Sequence, residues 1–297
     1  MRKIKRQKED IIIDVVSNVI LTIVLITTFY PLYFVIIASI SDPDALYYGE
    51  AMLYPVRITF EAYRRVLRDS TIWLGYRNTI FYTVVGTSIN IIMTFITAYP
   101  LSRKNFPFSK IIMRYFAFTI YFSGGLIPTY LVVKSLHLTG KWYVLVILGA
   151  MSVFNVIVTR TFFQSTIPEE LFESASMDGC NHFRFFLQIV VPLSKPVLAV
   201  MILFYGVRHW NEFFKAMIYL NNRKQYPLQV FLREILINNA LSEDMHGNDM
   251  TDRLQSEKLL ELMKYATIVV ATLPMIIIYP FLQKYFVKGT MVGSLKG

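Results

Sequence analysis

Arg208, Trp210, Asn211 and Glu212 bring a cation, an indole, an amide and a carboxylate to the end of an otherwise apolar run. Charge inside such a run is expensive in lipid and is normally turned towards a cavity or a partner. Counting ~1.5 Å per residue from Ser194 puts Arg208 about 21 Å along its helix. Arg208 and Glu212 stand four apart and can pair on one helical face. Trp210 suits either stacking on the flat face of a ligand or a place in the aromatic belt at a membrane surface. These four residues are candidates for lining a solute pathway. Gly124 and Gly125, followed by Pro128, fall inside another apolar run and weaken a helix there. They suit a flexible element beside the pathway or a point of close helix packing.

Other chemistry is poorly served. A nucleotide site needs a glycine-rich cradle followed by Lys and Ser or Thr, whereas the pair Gly140-Lys141 runs into Trp142. Nucleophile-elbow and metalloprotease spacings are missing from the sequence. His137, His182, His209 and His246 are scattered along the chain, and a single cysteine, Cys180, precludes an internal disulfide. The expectation is a non-catalytic chain with no catalytic residue, metal ligand or cofactor of its own.

A third polar segment reads Thr166-Ile167-Pro168-Glu169-Glu170-Leu171-Phe172-Glu173-Ser174-Ala175-Ser176-Met177-Asp178-Gly179 and continues to Pro192. Pro168, Glu169 and Glu170 suit a first helical turn, where a missing N–H is harmless and carboxylates meet the positive end of the dipole. Gly179 is placed to end that helix. Leu171 and Ala175 share one face while Glu173 points elsewhere, so the predicted helix is amphipathic and small-sided and could lie in a partner's groove.

The elements that carry these residues are membrane helices. The 297 residues are 55% hydrophobic, with a mean hydropathy of +0.46, more apolar than a soluble core requires. Runs long enough to cross a bilayer predict an all-α protein with spans at about 12–40, 78–102, 112–133, 142–163, 194–219 and 264–286, the fifth being the least apolar. The first follows five basic residues, and its uncharged stretch from Val15 to Ile40 outruns a secretory signal, so it is expected to remain. Six spans put both ends on one side. The inner segments then hold half of the 30 basic residues in dense groups beside helix ends, including Arg103, Lys104, Arg160, Arg184 and Lys284. That pattern favours an N-in, C-in topology and explains the net charge of +10 better than nucleic-acid binding does. Segment 166–193 then lies inside. Segments 41–77 and 220–263 lie outside, where they cap the bundle or receive a partner.

Glu173-Ser174-Ala175, three residues, Gly179, then a run ending at Pro192, resembles the EAA loop of binding-protein-dependent ABC importers. Ser174 and Cys180 stand where that pattern commonly has alanine. The stretches Phe122 to Tyr130 and Lys284 to Gly297 resemble the carbohydrate branch of the family, in particular its LplC/YtcP-type permeases for oligosaccharides such as pectin fragments. The resemblance implies a type I ABC importer permease fold of one domain over 1–297 in the bacterial cytoplasmic membrane. It makes segment 166–193 a cytoplasmic coupling loop, with Glu173, Ser174, Ala175, Asp178, Gly179 and Pro192 as its contact residues for an ATPase. It also implies a homologous sister permease, two ATPase subunits that bind ATP and Mg, and an extracytoplasmic solute-binding protein. The C-terminal tail reaches towards the ATPases or simply ends the chain. Another solute is the alternative cargo. A secondary transporter would show inverted repeats and buried ion ligands, which the sequence does not suggest.

Overall fold

The computed structural model describes residues 8–241, 258 and 260–280, and those residues form helices and connecting turns with no strand among them. The basic residues before Lys8 and the C-terminal tail lie outside the described residues. The chain divides into two units, Met1–Asp69 with Glu234–Thr272, and Ser70–Arg233 with Leu273–Gly297.

In the first unit, α1 (Lys8–Ile40) is a 33-residue helix. Its Val, Ile and Leu side chains from Ile12 to Leu32 are exposed, the surface of a helix solvated by lipid. Asp42 starts α2 (Pro43–Tyr47): its carboxylate accepts from the amides of Asp44 and Ala45 at 3.0 and 3.3 Å, and Pro43 fills the first position, where no N–H is needed. The next helix, α3 (Glu61–Arg68), is held to the end of α1 by a 2.7 Å hydrogen bond between Ser39 and Tyr63. Lys258 donates to Asp44 at 2.7 Å with its ammonium about 5 Å from the rings of Tyr47 and Tyr48.

The second unit is organised on α4 (Ser70–Ser102), whose buried face repeats every four residues as Asn78, Tyr82, Gly86, Asn90, Thr94 and Ala98. Against it pack α8 (Val153–Thr166) and α12 (Lys195–Trp210). Between α4 and α8 the chain forms α5 (Ser109–Tyr121), α6 (Leu126–Ser135) and the short α7 (Val144–Ile147). After α8 come α9 (Glu169–Met177), α10 (His182–Phe185), a π turn over Phe186–Val190, and α11 (Val191–Leu193). Beyond α12 lie α13 (Phe214–Tyr219), α14 (Leu228–Leu241) and α15 (Leu260–Pro280).

One end of α4 grips the segment before α14. Asn78 donates to the carbonyls of Lys224 and Tyr226, Tyr82 donates to that of Gln225, and the Leu228 amide donates to Thr79, all at 2.8–2.9 Å. At the other end Arg160 donates to the Leu101 carbonyl at 2.8 Å. Around that end Phe95, Ala98, Phe163, Phe185, Val197 and Met201 close an apolar core.

Three of the predicted spans differ from single straight helices. The run at 112–133 is α5 plus α6 with a bend of 114°. Gly125, at φ 81°, occupies a conformation that other residues avoid; a Cβ there would meet nothing, and one at Gly124 would make only an ordinary 3.7 Å contact with Pro128, so the backbone conformation of Gly125 breaks the helix rather than a neighbour's close approach. In 142–163, Gly149 at φ 116° separates α7 from α8. The run at 194–219 ends at Trp210, is capped at Asn211 and restarts as α13. Among the described residues three helices are long and apolar enough to cross a membrane, or five if each bent pair counts as one span.

Candidate functional site

The predicted inner helix forms as α9, with Pro168 preceding it and Glu169 and Glu170 in its first turn. It ends in a Schellman arrangement: the Cys180 amide donates to the Ala175 carbonyl and the Gly179 amide to that of Ser176, both at 3.0 Å, with Gly179 at φ 77°. Asn181 then caps α10, its side chain accepting from the Arg184 amide at 2.9 Å. The glycine and the cap turn the chain back on itself, so that Phe172 stacks on His182 with ring centres 4.2 Å apart and meets Phe185 edge-on at 5.1 Å. Leu171, Phe172 and Ala175 pack towards the core. Glu173, Ser174, Met177, Asp178 and Gly179 are exposed, Met177 at 89%. Of the nine residues from Leu171 to Gly179, three thus form an anchored face and six, Ser176 included, a free one.

A second anchor was not apparent from the sequence. Arg103, just after α4, is only 7% exposed, and its Nη1 lies 3.5 Å from Glu169 Oε2 in the first turn of α9. Its guanidinium lies over Tyr99 and Phe185 at 5.0 and 5.7 Å. The inward face of α9 is therefore tied to the end of the central helix by an ion pair and an aromatic stack. Pro192 stands apart from this cluster. It is exposed in α11, just after the π turn, and belongs to a 79° bend between His182–Leu193 and α12. With no N–H to donate, it weakens the helical ladder where that bend begins.

The four residues at the end of α12 do not form one cluster. Arg208 does not pair with Glu212, because the helix ends between them. Glu212 instead binds Lys215 at 2.8 Å and accepts from the Lys215 amide at 3.1 Å, which starts α13. Trp210 is 5% exposed, with its ring 6.2 Å from that of Tyr76, so it is a packing residue in this conformation rather than an open platform. Asn211 is exposed and donates to the Val207 carbonyl at 3.0 Å. Arg208 is exposed and its guanidinium lies against Gly149. Gly124 and Gly125 lie at the α5–α6 bend, in a different part of the unit from this cluster.

Between these sites runs a buried polar seam. His209 Nε2 lies 2.6 Å from Asn90 Oδ1, and Asn90 Nδ2 donates to the Gly149 carbonyl at 2.7 Å. One turn along, Thr94 and Tyr205 share a 2.7 Å hydrogen bond, and the Ser152 amide donates to the Tyr205 hydroxyl at 3.2 Å. Since the Asn90 amide nitrogen faces Gly149, its oxygen faces His209, and Nε2 carries the donated proton. The repeats Gly86-Asn90-Thr94 and Tyr205-His209, polar or small at four-residue spacing inside apolar runs, are the signal that marks this seam in the sequence.

The chain is 40% identical to the protein LplC of Bacillus subtilis over 270 residues, 91% of this chain and 90% of the relative. It is 39% identical over 267 residues to the polygalacturonan/rhamnogalacturonan transport system permease protein YtcP of the same organism, covering 90% of this chain and 92% of that one. A crystal structure of a bacterial ABC transporter involved in the import of the acidic polysaccharide alginate contains a chain that superposes with a TM-score of 0.85 at 34% identity, over 96% of this chain and 100% of that chain. With residues 72–292 also matching the family pattern, this protein belongs to the inner membrane components of binding-protein-dependent transport systems.

Proposed function

We propose that the chain is one transmembrane half of an ATP-driven importer that passes oligosaccharides across the bacterial cytoplasmic membrane. In this reading it spans the membrane six times with both ends inside, and it pairs with a homologous sister permease. Two ATPase subunits supply ATP and Mg chemistry, and an extracytoplasmic binding protein delivers the cargo. The observation that carries the reading is α9, a short helix anchored on one face to the end of α4 and free on the other. An exposed helix fixed to a long one suits the transfer of a partner's closure into a change between inward-open and outward-open packings. Family membership supports the dependence on a binding protein. The saccharide cargo is supported by the relatives named for polygalacturonan, rhamnogalacturonan and alginate transport.

The test uses the complete importer in liposomes, with oligogalacturonate and the binding protein supplied. The permease alone is expected to hydrolyse no ATP, and the complex to hydrolyse it faster when loaded binding protein is present. Glu173→Ala and Gly179→Val should each abolish most of that stimulation while the subunits still assemble. Stimulation retained in both variants would refute the role of this loop.

A further inference from the structure

We propose that Arg208 is a carboxylate-reading residue on the solute path, held in position by Gly149, Asn90 and His209, so that the cargo group passing it is anionic. The inference rests on the oligosaccharide reading above and narrows its substrate class.

The position of the guanidinium is built by the surrounding backbone. Arg208 and His209 occupy the last turn of α12 and face different ways: His209 is 6% exposed against α4, and Arg208 is exposed. The His209 ring packs so closely on Gly86 that a Cβ there would lie 2.5 Å from it. The hydrogen bonds from His209 to Asn90 and from Asn90 to the Gly149 carbonyl then fix the end of α12 relative to the turn that carries Gly149. At Gly149 a Cβ would overlap the Arg208 guanidinium, so bare backbone is what leaves room for it. Two glycines and a buried amide thus place one charged group.

Among the described residues the charge has no counterion. Glu212, four residues on, is taken by Lys215, and no described carboxylate forms an ion pair with Arg208. Arg208 lies 13 residues beyond Lys195, the exposed first residue of α12, about 20 Å at the helical rise, and the exposed side chains between the two, Ile202 and Phe204, are apolar. A guanidinium at that depth faces water or a partner rather than hydrocarbon. A planar, exposed fork of donors lying against Gly149 matches a carboxylate in two-point geometry, and a lysine in its place would offer only a point charge. A neutral sugar has no group that needs it.

The experiment measures uptake of tri-galacturonate and of its methyl ester by the complete importer in proteoliposomes with the binding protein supplied. Arg208→Gln should raise the KM for the acid tenfold or more relative to that for the ester, with the maximal rate for the acid retained. Arg208→Lys should recover part of the difference, which separates lost charge from misfolding. Gly149→Ala, which displaces the guanidinium without removing it, should lower the preference for the acid several-fold. A fall in maximal rate alone, an equal change for both probes, or no change in either overturns the assignment. No uptake of either probe by the unaltered importer overturns the oligosaccharide reading instead.

Discussion

Arg103 shows how much one buried cation can constrain. Its guanidinium is confined between two rings and faces a single carboxylate 3.5 Å away, with Nε and Nη2 buried and without a hydrogen-bond partner. Removing Glu169 strands that charge, whereas removing Arg103 leaves a carboxylate that can still reach water. Glu169→Gln should therefore lower stability more than Arg103→Met does, by on the order of 3 kcal/mol for the first. Melting of the purified protein in detergent reads the order, and the reverse order would show that the ion pair is not what holds α9. Gly179 makes a contrasting case. Nothing crowds it, so only its left-handed φ of 77° resists substitution. Gly179→Asn should be tolerated, and Gly179→Val should loosen α9 at a cost of ~1–2 kcal/mol. Comparing amide exchange in the two variants over residues 169–177 checks this. The glycine was legible in the sequence because a helix stop is a local event. The partner of Arg103 was not, because it lies 66 residues away and inner basic residues all look alike in a chain of this kind.

At the scale of elements, long apolar runs announced α1, α4 and α15, since backbone polar groups in lipid leave few alternatives to a helix. Where helices stop inside such runs was harder to read. Gly125 and Gly149 break theirs through positive φ, and Asn211 ends α12 by capping it. That capping is why the expected Arg208–Glu212 pair does not exist: the four-residue rule holds only while the helix continues. The contact of α4 with α12 offers a test of the buried seam. Gly86→Ala drives a methyl into the His209 ring and should destabilise by ~1–3 kcal/mol through overpacking. Asn90→Ala strands the His209 N–H and the Gly149 carbonyl and should cost a similar ~1–3 kcal/mol. Because the two share one ring, the double variant should lose less than the sum of the two losses. Strict additivity in melting experiments would show that the seam does not act as a unit. Outside the membrane helices, α2 carries a pair with a defined pH range. The Lys258 hydrogen bond holds the Asp44 carboxyl below its usual 3.8, and the same bond raises Lys258 above 10.5. The acid's contribution is present above 3.8 and lost as pH falls through its lowered value. The amine's is present below 10.5 and lost as pH rises through its raised value. Asp44→Asn should abolish both arms, which titration of stability from pH 3 to pH 11, compared with the unaltered chain, would show.

At the scale of the whole molecule, the family matched over 72–292 works as a membrane component beside other proteins, and the surface of this chain is consistent with one that is not the whole assembly. Met177 is an apolar side chain 89% exposed on a polar segment, next to exposed Glu173 and Asp178. A methionine among those carboxylates has no core to join, and its flexible thioether suits an irregular partner surface. The single cysteine makes the expectation directly measurable, because Cys180→Ser leaves a background into which one thiol can be placed. Met177→Cys in that background should react quickly with a water-soluble maleimide in the isolated permease. In the complex with its ATPases the rate should fall at least tenfold. A thiol placed at Ser165, on the exposed side of α8, serves as the control and should change little. Equal protection at both sites would mean that assembly shields this end of the unit generally. Unchanged labelling of Met177→Cys would mean that α9 is not where the ATPase sits, and the anchored helix would then need another partner.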